Sequence, residues 1–254
     1  MKRKFFLFGM LGILMACATV PYTNRKQFNL ISPGQEMQLG EEAYADILKK
    51  TPRSSNHQWT EMVKRAGANI QRVAEQPDFK WEFNLLQGKE VNAFCLPGGK
   101  VAFWDGIIPI CKDETGIAVV MGHEVAHALA RHGAERMSQG MGAQIIGQVL
   151  SLGLGKADPA VREKTLQLYG LGAQVGVILP FSRGNESEAD HIGLILMAKA
   201  GYDPRQAVEF WKRMAAQSGG QKPPEFMSTH PSDETRIQQL EKWLPEALTY
   251  YTAK

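Results

Sequence analysis

The sequence predicts an α+β fold that is mostly helical, with one small antiparallel sheet. Two observations predict it. Apolar residues recur at helical spacing on both sides of a central stretch, and within that stretch, residues 81–104, the period changes to two. Hydrophobic residues make up 44% of the 254-residue chain and charged residues 22%. That balance suits a core-forming globular protein and excludes a disordered or collagen-like one.

The first residues stand apart. Lys2, Arg3 and Lys4 precede an apolar run of eleven residues, Phe5 to Met15. A stable bilayer-crossing helix needs about 20, so the run reads as the core of an export signal. Leu14-Met15-Ala16-Cys17 follows and resembles a bacterial lipobox, with cleavage before Cys17 and lipid carried on it. The alternative is a plain cleaved signal with an incidental cysteine. The expected organisation is a signal peptide over 1–16, a lipidated tether over 17–31 and one folded domain over 32–254. Of 29 basic residues three lie in the signal, which leaves 26 against 26 acidic ones. A chain without net charge offers no broad basic surface for nucleic acid. Cys95 and Cys111 remain after the lipidation site. An exported compartment permits a disulfide between them, worth about 3 kcal/mol for a loop of that length. Two unpaired core thiols are the equal alternative, and the spacing fits no zinc-binding cysteine pattern.

Ser32-Pro33-Gly34-Gln35 starts a helix that runs to about Lys50: Ser32 caps, and Pro33 suits the first position. A second helix covers His57 to Gln76, with Val63, Ala66 and Ile70 on one side, and Pro77 stops it. Trp81, Phe83 and Leu85 alternate with polar residues, and Val91–Leu96 and Val101–Trp104 are further strands, separated by Pro97-Gly98-Gly99. Asp113 caps a helix expected to reach Arg131 and end near Gly133. Residues 140–155, rich in Gly and apolar residues, read as a packed helix or as an element near the rim of a site. Helices are expected over 161–180, stopped by Pro180, and over Glu186–Ala200, Pro204–Gln217 and Ser232–Trp243, with a loop over Ser218–Glu225.

The chemistry concentrates in His123-Glu124-Val125-Ala126-His127. On a helix, residues four apart lie on one face. Two imidazoles so placed can bind one zinc at about 2.0–2.1 Å. Glu124 emerges beside the pair, where it reaches a metal-activated water rather than the metal. The motif follows Ile117-Ala118-Val119-Val120-Met121, and ionisable side chains are costly in so apolar a helix unless paired or metal-bound. The bland alternative is two core histidines satisfied by hydrogen bonds. A catalytic zinc needs a third protein ligand. No third histidine follows at short spacing, so a distant carboxylate is expected. Glu186-Ser187-Glu188-Ala189-Asp190 is the best source. Glu186 and Asp190 share a helix face, but spacing alone does not choose between Glu186 and Glu188.

These motifs, together with Asn92-Ala93-Phe94, Leu96-Pro97-Gly98-Gly99, Ser182-Arg183 and Ser228-Thr229-His230-Pro231, resemble metallopeptidase family forty-eight, the HtpX-, BepA- and LoiP-like zinc endopeptidases of gluzincin type. The resemblance spans about residues 20–245, and this chain looks like a bacterial lipoprotein member. It implies a zincin-like domain holding one zinc per chain. It makes Glu186 the third zinc ligand and Asp190 a residue that orients a ligand histidine. It places His230 near the metal, either stabilising the oxyanion or occupying the open metal position and holding the enzyme off. Arg236 follows at the family's spacing and could aid substrate or oxyanion binding. The Asn92–Leu96 run, with Asn92, Ala93 and Phe94, reads either as an edge strand along which an extended peptide pairs or as an ordinary core strand.

The expected function is a zinc-dependent endopeptidase of envelope protein quality control, with Glu124 as base. The alternative is a zinc-binding periplasmic chaperone or adaptor lipoprotein with little hydrolysis. The expected partners are unfolded or misassembled envelope proteins, the membrane through the N-terminal lipid, and a separate recruiting protein. The expected location is the periplasm, at the inner leaflet of the outer membrane in a Gram-negative host.

Overall fold

A computed structural model describes residues 17–155, 157–173, 179–217, 226–227, 230 and 234–252. The expected signal peptide, the 218–225 loop, Ser228-Thr229 and Pro231 lie outside them. Chain order begins with β1 (Cys17–Thr19), β2 (Lys26–Phe28), α1 (Pro33–Lys50), α2 (His57–Ala74), β3 (Glu82–Leu86), β4 (Ala93–Leu96) and β5 (Lys100–Trp104). It continues with a single 3-10 turn, α3 (Ile108–Cys111), α4 (Glu114–Leu129), α5 (His132–Gly153), α6 (Pro159–Ala173), α7 (Leu179–Lys199), α8 (Arg205–Ala216) and α9 (Glu234–Thr249). The fold is α+β and mostly helical.

Contacts divide the chain into two compact units. The larger comprises Pro33–Ala130 and Glu186–Lys254. Its core forms where α2 and α4 pack beside a three-stranded sheet. Val63, Ala66 and Ile70 of α2 are buried as their spacing predicts, and Asn56 caps this helix by accepting from Trp59 N at 3.0 Å. The strand order is β3-β5-β4. β4 and β5 are antiparallel, but β3 runs parallel to β5. The sheet is therefore mixed, which corrects the antiparallel expectation. The turn at Pro97–Gly99, with Gly98 and Gly99 at φ 84° and 80°, folds β5 back between its neighbours. That leaves β4 at the edge and puts β5 beside β3 in the same direction. Tyr44 of α1 closes one side of the sheet, donating to Val101 O at 2.9 Å and accepting from Asn84 Nδ2 at 2.8 Å.

The smaller unit comprises residues up to Ser32 and Arg131–Asn185. Within residues 17–31, expected as a tether, Cys17–Thr19 and Lys26–Phe28 form the β1–β2 hairpin. Strands of three residues are too short to show a period in sequence. Arg25 clasps Glu135 of α5 through two bonds of 2.7 and 2.9 Å, and Leu30 N donates to Ser138 Oγ at 2.8 Å.

Other differences are at helix ends. Arg131 adopts φ 53°, a left-handed turn that stops α4 at Leu129 and starts α5 at His132, eight residues before the expected 140. α7 begins at Leu179, so Pro180 opens this helix instead of stopping the one before. In a first turn the missing N–H has no partner to lose. α9 continues to Thr249 through Pro245, beyond the expected Trp243. Cys95 and Cys111 are buried and unpaired. Burial pushes both thiols up, and Glu124 adds to the effect at Cys95.

Candidate metal centre

The site is built on α4. Asp113 accepts from Gly116 N at 2.9 Å and so starts the helix. The 3.6-residue repeat then sets His123 above His127. α7 crosses α4 with nothing but glycine between the backbones. A Cβ on Gly122 would lie 2.8 Å from Gly193 O, and one on Gly193 would lie 2.9 Å from His123 N. This close crossing brings Glu186 and Asp190 against the histidine pair. His230 arrives from the segment before α9 and Arg236 from α9 itself.

Four side chains, His123, His127, Glu186 and His230, place one donor atom each within 4.8 Å of one another. His123 Nε2 lies 3.1 Å from His127 Nε2 and 3.1 Å from His230 Nδ1. Glu186 Oε2 lies 3.4 Å from His123 Nε2 and 2.9 Å from His230 Nδ1, and its Oε1 lies 3.3 Å from His127 Nε2. Four donors about 2.05 Å from a central ion would stand about 3.3 Å apart in a tetrahedron. The residues present therefore fit a metal of zinc's size and preference. Glu188, the competing carboxylate, is buried but outside this group.

The charges agree with the geometry. Burial alone would push Glu186 up, yet His127, His123 and His230 hold its carboxyl far below the usual range. Burial works against charging His123, but Asp190 and Glu186 outweigh it and push it up to about 9. His123 Nδ1 faces Asp190 Oδ1 at 2.9 Å, which orients the ring and leaves Nε2 turned to the donor group. Arg236 Nη2 donates to the same Asp190 oxygen at 2.6 Å, and its guanidinium lies 3.3 Å above the Trp211 ring.

Glu124 stands beside the donors without joining them. Burial pushes its carboxyl up, with His230 and His123 partly offsetting this. Cys95 donates its backbone N–H to it, and Oε1 is a buried acceptor 3.4 Å from His230 Nε2. The Cys95 N–H ties the carboxylate to edge strand β4. Asn92 Oδ1 accepts from Ala93 N at 2.9 Å. Phe94 turns its ring to Tyr44 and Trp104, at 6.2 and 5.6 Å between centroids, so contacts to a peptide at this position would come from its main chain. Cys17 opens β1; its side chain lies outside what is described.

Three contributors escaped sequence reasoning. The Cys95 N–H carries no side-chain signal. Trp211 and Phe226, stacked at 5.8 Å, belong to no motif in the sequence, yet Phe226 lies 4.7 Å from the His230 ring and its carbonyl accepts from His230 N at 2.8 Å.

A helix-borne His-Glu-x-x-His joined by a carboxylate from a second helix is the site of a metallopeptidase. Comparison narrows the class. Residues 56–244 match Peptidase family M48. The chain is 39% identical over 232 residues to mitochondrial metalloendopeptidase OMA1 of Schizosaccharomyces pombe, covering 90% of this chain and 66% of that protein. It is 34% identical over 250 residues to mitochondrial metalloendopeptidase OMA1 of Saccharomyces cerevisiae, covering 91% and 70%. It is 29% identical over 223 residues to the beta-barrel assembly-enhancing protease of Escherichia coli, covering 86% of this chain and 46% of that protein. The chain belongs to peptidase family M48.

Proposed function

We propose that the chain is a membrane-tethered zinc endopeptidase acting on unfolded or misassembled envelope proteins. The observation that carries this reading is Glu124, a buried carboxylate within reach of the donor group but not part of it. A protein that only binds zinc needs the donors and has no use for the base.

Zinc held by His123, His127 and Glu186 would polarise a water and the peptide carbonyl. Glu124 takes a proton from the water and passes it to the leaving amine. Its raised carboxyl favours the uptake of that proton. Asp190 holds the His123 ring, and Arg236, pinned between Asp190 and Trp211, fixes Asp190. Arg236 thus acts through its neighbours in this reading rather than on substrate. The main chain at Asn92, Ala93 and Phe94 aligns an extended peptide beside Glu124, with little demand on its sequence.

His230 completes a closed set of four protein donors, as in structural zinc sites, whereas a catalytic site keeps one position open. That supports His230 as a brake rather than an oxyanion donor. The same closure favours the second reading, a zinc-binding chaperone or adaptor. The export-type N-terminus with Cys17 at its lipobox supports a lipid-anchored periplasmic setting, and the name of the E. coli relative, a beta-barrel assembly-enhancing protease, fits a role in protein assembly. Among the described residues no helix is long and apolar enough to cross a membrane.

The test is casein cleavage by soluble protein beginning at Ala18, as wild type, Glu124→Gln and His230→Ala, with zinc measured on each. Glu124→Gln should keep its zinc and lose activity by about a thousandfold. His230→Ala should cut faster than wild type if His230 is a brake. If all three hold zinc and none cuts, the chaperone or adaptor reading replaces the peptidase.

A further inference from the structure

The smaller unit carries an apolar surface that the metal centre does not use. Among the described residues thirteen large hydrophobic side chains are exposed, and ten of them belong to this unit. On α5, Met137, Met141, Ile145 and Val149 recur every fourth residue, and Leu152 extends the row with 82% of its surface exposed. Residues 137–155 contain no charged side chain. Gln144, Gln148 and Ser151 line a cavity between α5 and α6 together with Ala143, Leu166 and Tyr169. Arg162 donates to Ser151 Oγ at 2.6 Å, and Tyr169 to Ala143 O at 2.9 Å.

We infer that α5 and α6 lay this apolar face on the surface of a lipid bilayer. From Met137 to Leu152 the row extends about 23 Å, short of a hydrocarbon core of about 30 Å, so the helix lies in the interface and does not span it. Lipid is the occupant because of where the chain enters the unit. The basic triplet and apolar run before Cys17 lead directly into β1, and β1 pairs with β2. Arg25 and Leu30, on either side of β2, are fastened to Glu135 and Ser138 at the start of the apolar row. A lipid on Cys17 would hold the row at the membrane. The inference adds to the tethered reading, and its test omits Cys17 so that the two fail separately.

The test is sedimentation of protein beginning at Ala18 with vesicles of phosphatidylethanolamine and phosphatidylglycerol. Wild type should pellet with the vesicles, and the combined variant Ile145→Gln, Val149→Gln, Leu152→Gln should partition at least about tenfold less. Glutamine keeps helix propensity at these exposed positions, and circular dichroism verifies the fold. Leu168→Gln on α6 alone should give a smaller loss. Wild type left in the supernatant, or a folded triple variant that pellets equally well, overturns the inference. So does a dimer that depends on the row and forms without vesicle binding, since the occupant is then a second copy. Fatty-acid labelling of the full chain and its Cys17→Ser variant reads the anchor independently.

Discussion

Asp190 and Tyr44 show how a single buried polar group earns its place. Asp190 touches no substrate in our reading, but its carboxylate joins His123 to Arg236 at 2.9 and 2.6 Å. Asp190→Asn keeps the shape and removes the charge. It should weaken zinc binding by about 10–100-fold in chelator competition, while circular dichroism of the protein stays unchanged. Tyr44 reports on pH. Burial, against the hydrogen bond from Asn84, pushes its hydroxyl from the ordinary value of 10.0 up to about 12. The unfolded chain therefore ionises first. The stabilisation is complete below pH 10 and is lost as pH rises toward 12. Urea unfolding of Tyr44→Phe should show a shallower loss of stability across that window than wild type, from a lower starting value.

Among the elements, the crossing of α4 and α7 decides whether there is a site at all. Neither helix makes a metal centre alone, since α4 supplies two histidines and α7 the carboxylates. The glycines at 122 and 193 set how closely they approach. Gly193→Ala would press a methyl against His123 N, and overpacking of this kind costs about 1–3 kcal/mol. Urea titration should show that loss, and zinc content should fall with it because Glu186 moves away from the histidines. Normal stability with normal zinc would refute the close-crossing account. The helices themselves were legible: Asp113, Pro33 and the apolar spacing of α2 marked them. Their ends were less so, because a left-handed turn at Arg131 and a proline admitted at the second position of α7 leave no mark on the apolar spacing.

For the molecule as a whole, metal and fold are coupled. Three histidines and a glutamate from separated parts of the chain share one ion in our reading, so the ion binds the folded form and not the unfolded one. Removing it with a chelator should lower the melting temperature, and added zinc should restore it; a zinc concentration a thousand times Kd corresponds to about 4 kcal/mol. No shift on chelation would argue against a resident metal. The larger unit holds the entire donor group, and the smaller unit holds the apolar row, which the sequence presented only as a glycine-rich stretch of uncertain placement.

By itself the sequence determined what local geometry controls. His123, Glu124 and His127 take their relation from one helical repeat, so they could be assigned from spacing, and Glu186 with Asp190 share a face for the same reason. The choice of Glu186 over Glu188 came from resemblance, and its approach to the histidines from the glycine crossing. Only the tertiary structure decided that β3 runs parallel to β5, that Cys95 and Cys111 stay apart, that the Cys95 N–H reaches Glu124, and that His230 meets Glu186. Those contacts join residues tens of positions apart, where no repeat along the chain constrains the partners and packing alone selects them.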